Sequence, residues 1–366
     1  MRTVLVAGGS GGHLIPALTL AEHLKGRASC FLLTTSRPVE SVLLRQAQDE
    51  RTPLQWKRVD LKRFTPVWRW LWPGYLIHQL KAVRQIRLIL QEFRPDVVVG
   101  FGGYLSAAGV FIARRSRIPT VLHEQNLLPG SANRWFASLT DTVAVSFPQT
   151  KDFLSRRARV EVTGNPIRPH LKQADPQQAR RFFGFDDRRP VLVIMGGSQG
   201  SQAINRLTLR MWEGASVPEQ QEIQVIHLAG PAEISSIEER YHRRGIEARV
   251  YGFLQEMEMA YAAAGMAISR AGATSIAEMT ALQVPAILIP YPHAGGHQLA
   301  NARWMESCGG ALVCEEAGLT PAALWEKVSA FLKRPDRLAQ MRAALQAQSD
   351  GSAVERLARV VEKAAA

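Results

Sequence analysis

The stretch Val4–His13 reads Val-Leu-Val-Ala-Gly-Gly-Ser-Gly-Gly-His, and Leu14-Ile15-Pro16 and a helical pattern follow it directly. A short apolar run that breaks into four glycines before a helix predicts a strand, a tight turn and a helix N-terminus. The glycines let the backbone approach a ligand closely, and the N–H groups and dipole of the helix favour negative charge there. We therefore predict an anion site at this turn.

The same pattern occurs a second time in the chain. Val191–Ser201 reads Val-Leu-Val-Ile-Met-Gly-Gly-Ser-Gln-Gly-Ser, again an apolar strand that runs into glycines. Two copies so far apart indicate two similar halves, each with a phosphate-facing loop at the carboxyl end of a strand. A chain of 366 residues also has the length of two domains. We predict an α/β protein of two Rossmann-like, doubly wound parallel-sheet domains, over 1–165 and 166–340, with a helical tail over 341–366 that packs back toward the first domain.

The charge balance predicts anionic partners. Lys and Arg number 45 against 32 Asp and Glu, which gives a net charge of +13. This excess suits nucleic acid, anionic lipid or phosphorylated metabolites, and it does not choose among them. Three cysteines without the spacing of a metal clip fit a reducing cytoplasm. The first strand begins too early to leave room for an export signal. No apolar run approaches the roughly 20 residues of a membrane-spanning helix. We therefore expect any membrane contact to be peripheral.

The first glycine turn lacks the partner that a dinucleotide needs. A Gly-x-Gly-x-x-Gly turn that holds a dinucleotide has an acidic residue about 20 positions on, at the end of the next strand, to bind a ribose. That strand ends at Thr34-Thr35-Ser36-Arg37, which contains no acid. The pattern argues against a nicotinamide or flavin enzyme and favours another diphosphate ligand.

Two polar groups in the first half are candidates for catalysis. His13 stands where the glycine turn becomes a helix, so its imidazole is a candidate base; the alternative is a residue that caps or packs the turn. His123-Glu124-Gln125-Asn126 follows an apolar strand, at the edge where open α/β sheets bind ligands. The alternative there is a hydrogen-bonded turn that starts the next helix.

An acidic residue suited to bind a ribose, absent after the second strand, occurs in the second half of the chain. Ile268–Glu278 predicts a strand, a turn of small residues and a helix start, and a carboxylate at Glu278 can accept both hydroxyls of a ribose. The alternative is a glutamate that simply favours a helix N-terminus. Another strand ends at Pro290–Gln298, where amide and imidazole groups suit sugar hydroxyls.

Aromatic and basic residues alternate over Arg58–Leu90. The segment contains Trp68, Trp70 and Trp72 among several lysines and arginines. It is compatible with single-stranded nucleic acid, with an anionic bilayer, or with an ordinary amphipathic helix whose aromatics are core. Because the run Val67–Pro73 is hard to bury whole, we favour the bilayer and predict no nucleic-acid partner.

In order along the chain, the motifs resemble those of the MurG family, peripheral N-acetylglucosaminyltransferases that make lipid II in bacterial peptidoglycan synthesis. The resemblance covers nearly the whole sequence. It is carried by Gly8–His13, Gly100–Tyr104, His123–Asn126, Gly164–Arg168, Gly196–Gly200, Arg270–Glu278 and His297-Gln298.

This resemblance implies a GT-B fold and an inverting transfer. The donor would be UDP-N-acetylglucosamine, held mainly by the second domain. The acceptor would be the 4-hydroxyl of undecaprenyl-pyrophosphoryl-N-acetylmuramyl-pentapeptide, known as lipid I. The enzyme would be peripheral on the cytoplasmic face of the cell membrane, held there through the Trp68/Trp70/Trp72 segment.

The resemblance also assigns roles to individual residues. His13 is the leading candidate base, with Glu124 and Tyr104 beside it. Donor contacts would come from the backbone at Leu254 and from the turn Ala273, Thr274, Ser275, Ile276, Ala277 and Glu278, with Glu278 on the ribose. Diphosphate and sugar contacts would come from Arg168, Ser198, Gln199, Arg270, His297 and Gln298. Ser10, Gly11, Gly12 and Asn126 would close on a donor or acceptor diphosphate.

We expect the reaction to need no metal or other cofactor, because no aspartate pair or histidine cluster is apparent in the sequence. Arg168 and helix N-termini would stabilise the departing UDP instead. The sequence departs from the family at Gly295-Gly296, where an acidic residue is common, and at Ser10, where threonine is common. The alternatives are a UDP-sugar epimerase on the same fold, a different glycolipid glycosyltransferase and a non-catalytic nucleic-acid binder.

Overall fold

A computed structural model describes residues 1–37, 40–41, 43–44, 54–61, 73–197, 200–349 and 351–366. The predicted membrane segment with Trp68, Trp70 and Trp72 lies outside the described residues, and so do Ser198 and Gln199. The chain divides into two compact units. Unit 1 comprises Met1–Arg168 and Ser352–Ala366, and unit 2 comprises Pro169–Gly351.

A seven-stranded parallel sheet forms the centre of unit 1. Its order is β3-β2-β1-β4-β5-β6-β7. The chain therefore winds outward from β1 in one direction, crosses back, and continues from β4 in the other. Such a reversal opens a crevice at the carboxyl ends of the two central strands, where α/β proteins bind ligands. The strands are β1 (Arg2–Val6), β2 (Ser29–Thr34), β3 (Gln55–Arg58), β4 (Val97–Gly100), β5 (Thr120–Glu124), β6 (Thr142–Val145) and β7 (Val160–Val162).

Helices cover the sheet because its central strands are apolar along their whole length. β4 and β6 are buried at every position, as expected for parallel strands with both faces covered. The C-terminal helix packs with α1 around Leu14 and Leu20, through Leu357 and Val361. The helices of unit 1 are α1 (Gly11–His23), α2 (Pro73–Phe93), α3 (Gly103–Arg115), α4 (Ser131–Phe136) and, from the end of the chain, α14 (Ala353–Ala365).

Unit 2 contains a second parallel sheet, of six strands, in the order β10-β9-β8-β11-β12-β13. Its reversal lies between β8 and β11, so the second glycine loop follows a central strand, as the first does in unit 1. The strands are β8 (Val191–Met195), β9 (Gln224–Leu228), β10 (Glu247–Tyr251), β11 (Met266–Ser269), β12 (Ala286–Leu288) and β13 (Ala311–Val313). The two doubly wound parallel-sheet domains predicted from the sequence are confirmed.

The helices of unit 2 complete its core. They are α5 (Pro176–Phe183), α6 (Gln202–Met211), α7 (Val217–Gln221), α8 (Ile234–Arg243), α9 (Met257–Ala263), α10 (Ala273–Ala281), α11 (His297–Ser307), α12 (Pro321–Leu332) and α13 (Pro335–Gln348). Met341 of α13 belongs to the core of this unit. Within the helical tail predicted over 341–366, α13 belongs to unit 2 and α14 to unit 1.

Candidate active site

His13 lies at the reversal of the first sheet, and its ring is oriented by the glycine turn that precedes it. Nδ1 is 3.0 Å from the carbonyl oxygen of Gly8. Because a carbonyl oxygen only accepts, Nδ1 carries the hydrogen, and Nε2 of the neutral ring keeps its lone pair. This tautomer is the one that a general base at Nε2 requires.

The glycine turn after β4 lies against the same imidazole. A Cβ placed on Gly102 would lie 3.0 Å from Nε2 of His13, and the φ of Gly102 is +101°. Both the space and the backbone conformation therefore require glycine here. Tyr104, two residues further on in the first turn of α3, is partly buried and packs against the core of unit 1. The structure thus brings the first two glycine turns of the sequence together around His13.

Glu124 ends β5 and is buried, and its carboxylate accepts four hydrogen bonds. Oε1 accepts from the backbone N–H of Asn126 (2.9 Å) and from its Nδ2 (3.1 Å). Oε2 accepts from the backbone N–H of Gly130 (2.9 Å) and from Nδ2 of Asn133 (2.8 Å). The carboxylate therefore fixes the loop between β5 and α4. Asn133 could not be predicted from the sequence, because no motif spacing connects it to Glu124.

His123 is completely buried one residue earlier. Its Nε2 donates to the carbonyl oxygen of Gly164 (3.1 Å), and Nδ1 accepts from Nε2 of Gln125 (3.0 Å). Burial lowers the pKa of His123 to about 4, so this ring is neutral near pH 7. The bond joins the carboxyl ends of β5 and β7. Its acceptor, Gly164, begins the motif Gly164–Arg168, whose last residue is partly buried.

In unit 2, Arg270 is buried and connects three loops at the carboxyl edge of the sheet. Nη2 donates to the hydroxyl of Ser201, at the start of α6 (3.0 Å). Nη1 donates to the carbonyl oxygen of Ile289 (3.1 Å) and forms an ion pair with Glu316 (2.6 Å). The guanidinium group therefore holds the loops after β8, β12 and β13 together. Glu316, like Asn133, lies outside every sequence motif and could not be predicted.

Glu278 lies in the second turn of α10, and it is buried. The hydroxyl of Tyr261, in α9, donates to its Oε2 over 2.9 Å. Residues Ala273–Ala277 form the first turns of the helix ahead of it, and the buried hydroxyl of Thr274 has no hydrogen-bond partner in the described part of the chain. Leu254 is buried in the loop between β10 and α9.

Gln298 has a fixed amide orientation at the start of α11. Its Oε1 accepts from the backbone N–H groups of Ala271 (3.2 Å) and Tyr291 (3.0 Å), so its NH2 group points away from them as a donor. His297 is the first residue of the helix. Gly295 and Gly296, just before it, have φ values of +58° and +81°, a conformation that other residues rarely adopt.

Comparisons with known proteins agree with this geometry. The model of the glycosyltransferase family 28 N-terminal domain matches residues 3–145, and that of the C-terminal domain matches residues 191–357. These two matches identify the protein as a family 28 glycosyltransferase, and its two parallel sheets agree with them.

Relatives that are similar over their full length identify which group within family 28 the chain belongs to. Two proteins named UDP-N-acetylglucosamine–N-acetylmuramyl-(pentapeptide) pyrophosphoryl-undecaprenol N-acetylglucosamine transferase are similar over nearly their whole length. That of Acidothermus cellulolyticus is 37% identical, over 100% of this chain and 98% of the relative. That of Thermodesulfovibrio yellowstonii is 33% identical, over 99% and 98%. The crystal structure of Acinetobacter baumannii MurG superposes with a TM-score of 0.75 at 26% identity, covering 99% of each chain. The chain belongs to the MurG family, as predicted.

Proposed function

We propose that this protein transfers N-acetylglucosamine from UDP-N-acetylglucosamine to the 4-hydroxyl of the N-acetylmuramyl-pentapeptide of lipid I, forming lipid II. The observation that carries the proposal is the similarity to relatives named for this reaction along nearly their whole length. The orientation of His13 supports it independently, because the described tautomer leaves Nε2 able to accept a proton.

We assign the donor to unit 2. Glu278 would accept the ribose hydroxyls, since its carboxylate is already oriented by Tyr261. The free amides of Ala273, Thr274 and Ser275 in the first turn of α10, and the hydroxyl of Thr274, would donate to the uridine and phosphate oxygens, as helix N-termini do for anions. Ile276 and Ala277 would line the same turn, since the N–H of Ile276 is engaged by the carbonyl oxygen of Gly272. The backbone at Leu254 would meet the uracil. Ser198 and Gln199 would contact the diphosphate together with Arg168, the one residue of this set that belongs to unit 1, and Gln298 with His297 would donate to the sugar.

Arg270 has a different role in this proposal from that expected from the motif. Its guanidinium group is engaged by Ser201, Ile289 and Glu316. We therefore assign it to positioning the loops around the donor, rather than to direct contact with the substrate.

We assign the acceptor and the proton transfer to unit 1. Nε2 of His13 would take the proton as the 4-hydroxyl attacks the anomeric carbon, the glycosidic bond to UDP breaks, and the configuration inverts. The amides of Gly11 and Gly12, with Ser10 and Asn126, would contact a diphosphate. Glu124 accepts four hydrogen bonds, which favours positioning over proton transfer for this carboxylate. Tyr104 would line the same turn.

The transfer is tested with labelled UDP-N-acetylglucosamine and a short-chain lipid I analogue. We expect a disaccharide product with the wild-type chain, and a loss of kcat of about 10²-fold or more in His13→Ala, since a positioned general base contributes about 10²–10⁴-fold. Glu22→Ala, an exposed change on the same helix, is the control. No transfer while an authentic family member is active would contradict the proposal, and conversion of the donor without acceptor would identify an epimerase.

We also propose that α2 contributes to membrane binding. Leu76, Ile77, Leu80 and Leu88 are more than half exposed on this helix, although such side chains are normally buried. Exposed basic residues lie among them, and the helix contains no acidic residue before Glu92. Apolar side chains interleaved with bases suit the interface of an anionic bilayer. No helix in the described ranges has both the length and the apolar character needed to cross a membrane.

Vesicle binding tests this surface. Each basic residue near an anionic surface contributes about 1 kcal/mol, so replacing three of them by glutamine should weaken binding to phosphatidylglycerol vesicles by about 10²-fold. The variant combines Lys81→Gln, Arg84→Gln and Arg87→Gln. The control removes the same charge elsewhere on unit 1, by Lys151→Gln, Arg156→Gln and Arg157→Gln. Equal losses in both would contradict the assignment, and preference for single-stranded oligonucleotides at matched salt would favour a nucleic-acid binder.

A further inference from the structure

Glu40 is a buried carboxylate with no role in the reaction described above. It lies six residues beyond the end of β2 and is 1% exposed. Its Oε1 accepts from the backbone N–H of Gly9 (2.6 Å) and from the hydroxyl of Thr35 (2.6 Å), and its Oε2 accepts from the hydroxyl of Thr34 (3.0 Å). Three donors directed at one buried carboxyl group are the partners that an ionised carboxylate requires.

The N–H that Glu40 binds belongs to the same peptide group that orients His13. The peptide between Gly8 and Gly9 contributes the carbonyl oxygen that accepts from Nδ1 of His13, and the N–H that donates to Glu40. In a trans peptide these two groups point in opposite directions. The carboxylate and the imidazole therefore lie on opposite sides of one peptide group.

We propose that Glu40 is a positioning residue that acts on His13 through the peptide group between Gly8 and Gly9. The carboxylate polarises that peptide, which makes its carbonyl oxygen a stronger acceptor for Nδ1–H, because hydrogen bonds in a chain reinforce one another. The stronger bond holds the ring in the tautomer with the lone pair on Nε2. The arrangement does the work of a carboxylate bonded directly to a catalytic histidine, with one peptide group placed between them.

The contacts of Glu40 also determine which amides of the first glycine turn remain available to a ligand. Because the N–H of Gly9 is engaged by a carboxylate, an anionic ligand of this turn would use the amides of Gly11 and Gly12, at the start of α1. The same contact bears on the acidic residue that a dinucleotide site would have after β2. An acid is present beyond β2 after all, but its carboxylate faces the turn rather than a ribose.

The inference rests on the proposed function only for its catalytic consequence, so the test has two readouts. In the full chain labelled with 15N-histidine, the ring nitrogen shifts report which nitrogen carries the hydrogen. His13 is assigned by its absence in His13→Ala. We expect the wild-type ring to show Nδ1–H, Glu40→Ala to show a mixture of tautomers, and the nearly isosteric Glu40→Gln to retain Nδ1–H, because its amide oxygen still accepts from Gly9.

The second readout is kinetic, with UDP-N-acetylglucosamine and a short-chain lipid I analogue. We expect kcat to fall about 10-fold in Glu40→Ala, a part of the roughly 10²–10⁴-fold that a general base supplies, with the KM for the donor unchanged. Glu40→Gln should recover part of that loss. Glu22→Ala on α1 is the control.

The outcomes separate the two claims. An unchanged tautomer in Glu40→Ala overturns the inference whatever the kinetics. A lost tautomer with unchanged kcat overturns its catalytic consequence. If His13→Ala itself retains full activity, the proposed base is wrong, while the tautomer readout still tests the link between Glu40 and His13.

Discussion

The hydroxyl of Tyr261 donates to Oε2 of Glu278 over 2.9 Å, and both side chains are buried in unit 2. The bond connects α9 to α10, so the direction of the carboxylate depends on a helix that the nucleotide motif does not include. A hydrogen bond to a charged group contributes about 1.5–3 kcal/mol. Glu278 would therefore bind a ribose less well without it.

Tyr261→Phe should weaken UDP binding about 5-fold to 10-fold, because the ring keeps its packing while the carboxylate loses the donor that fixes it. Calorimetry with UDP measures the change, and Tyr251→Phe in the same unit is the matched control. We expect discrimination against 2′-deoxy-UDP to fall as well. If Glu278→Ala weakens UDP binding and Tyr261→Phe leaves it unchanged, the tyrosine has only a packing role.

Arg270→Lys should destabilise unit 2 although it keeps the positive charge. An ammonium group lacks the planar fork with which arginine binds Ser201, Ile289 and Glu316 together. The loss is about 1–3 kcal/mol, which lowers the melting temperature by several degrees. Arg303→Lys should change it little, because Arg303 is itself exposed and pairs at the surface with the partly buried Glu306 and the exposed Glu315. Equal melting temperatures for both variants would contradict the role of Arg270 as a connector.

The buried strands were predictable because each is an apolar run between glycines, prolines or charges. Two other strands were not predicted. β3 reads Gln-Trp-Lys-Arg, lies at the edge of its sheet and is mostly exposed, so it lacks the apolar pattern of its neighbours. β13 reads Ala-Leu-Val after Gly309 and Gly310, the same apolar pattern as the predicted strands, so nothing in its sequence explains why it was not predicted. Likewise, α13 and α14 have similar apolar spacing, and that spacing does not encode the unit against which each packs.

The motif residues of the site were predictable from their position after strands, but their partners were not. Glu40, Asn133, Tyr261 and Glu316 each contact a motif residue from another segment of the chain. Such contacts depend on how distant elements pack against each other. The spacing of residues in a single sequence does not reveal that packing. Glu40 illustrates this limit of sequence-based prediction. It is an acidic residue that follows β2, but only the fold shows that its carboxylate points at the glycine turn.

His227 makes the stability of unit 2 depend on pH. It is buried in β9, with Nδ1 accepting from Tyr241 and Nε2 donating to Asn205. Burial lowers its pKa from 6.5 to about 3. Between these values the unfolded chain binds a proton that the folded chain does not, so the free energy of unfolding falls as pH falls, by up to about 1.4 kcal/mol per pH unit. The stabilisation is complete above about pH 6.5 and is lost toward pH 3.

His227→Gln removes that titration. Hydrogen exchange of the β9 amides measures the opening of unit 2 by itself. From pH 6 to pH 5 we expect the wild type to lose about 1 kcal/mol more than the variant, whatever their difference at pH 7. His123, the other buried neutral histidine, is present in both proteins, so its contribution to the pH dependence is the same in each. Parallel pH dependences would show that His227 is not responsible.

Glu124→Gln distinguishes positioning from proton transfer. The glutamine is nearly isosteric, but its NH2 group would face two of the four donors that Glu124 accepts, either those of Asn126 or those of Gly130 and Asn133. A buried donor without an acceptor costs about 1–3 kcal/mol, enough to release one side of the loop. We therefore expect kcat to fall at least 10-fold together with a loss of hydrogen-exchange protection at the amides of Asn126 and Gly130. His13→Gln is the matched comparison, in which kcat should fall while those amides stay protected. If Glu124→Gln abolishes transfer and the loop keeps its protection, the carboxylate itself takes the proton, and the assignment of His13 as the base is wrong.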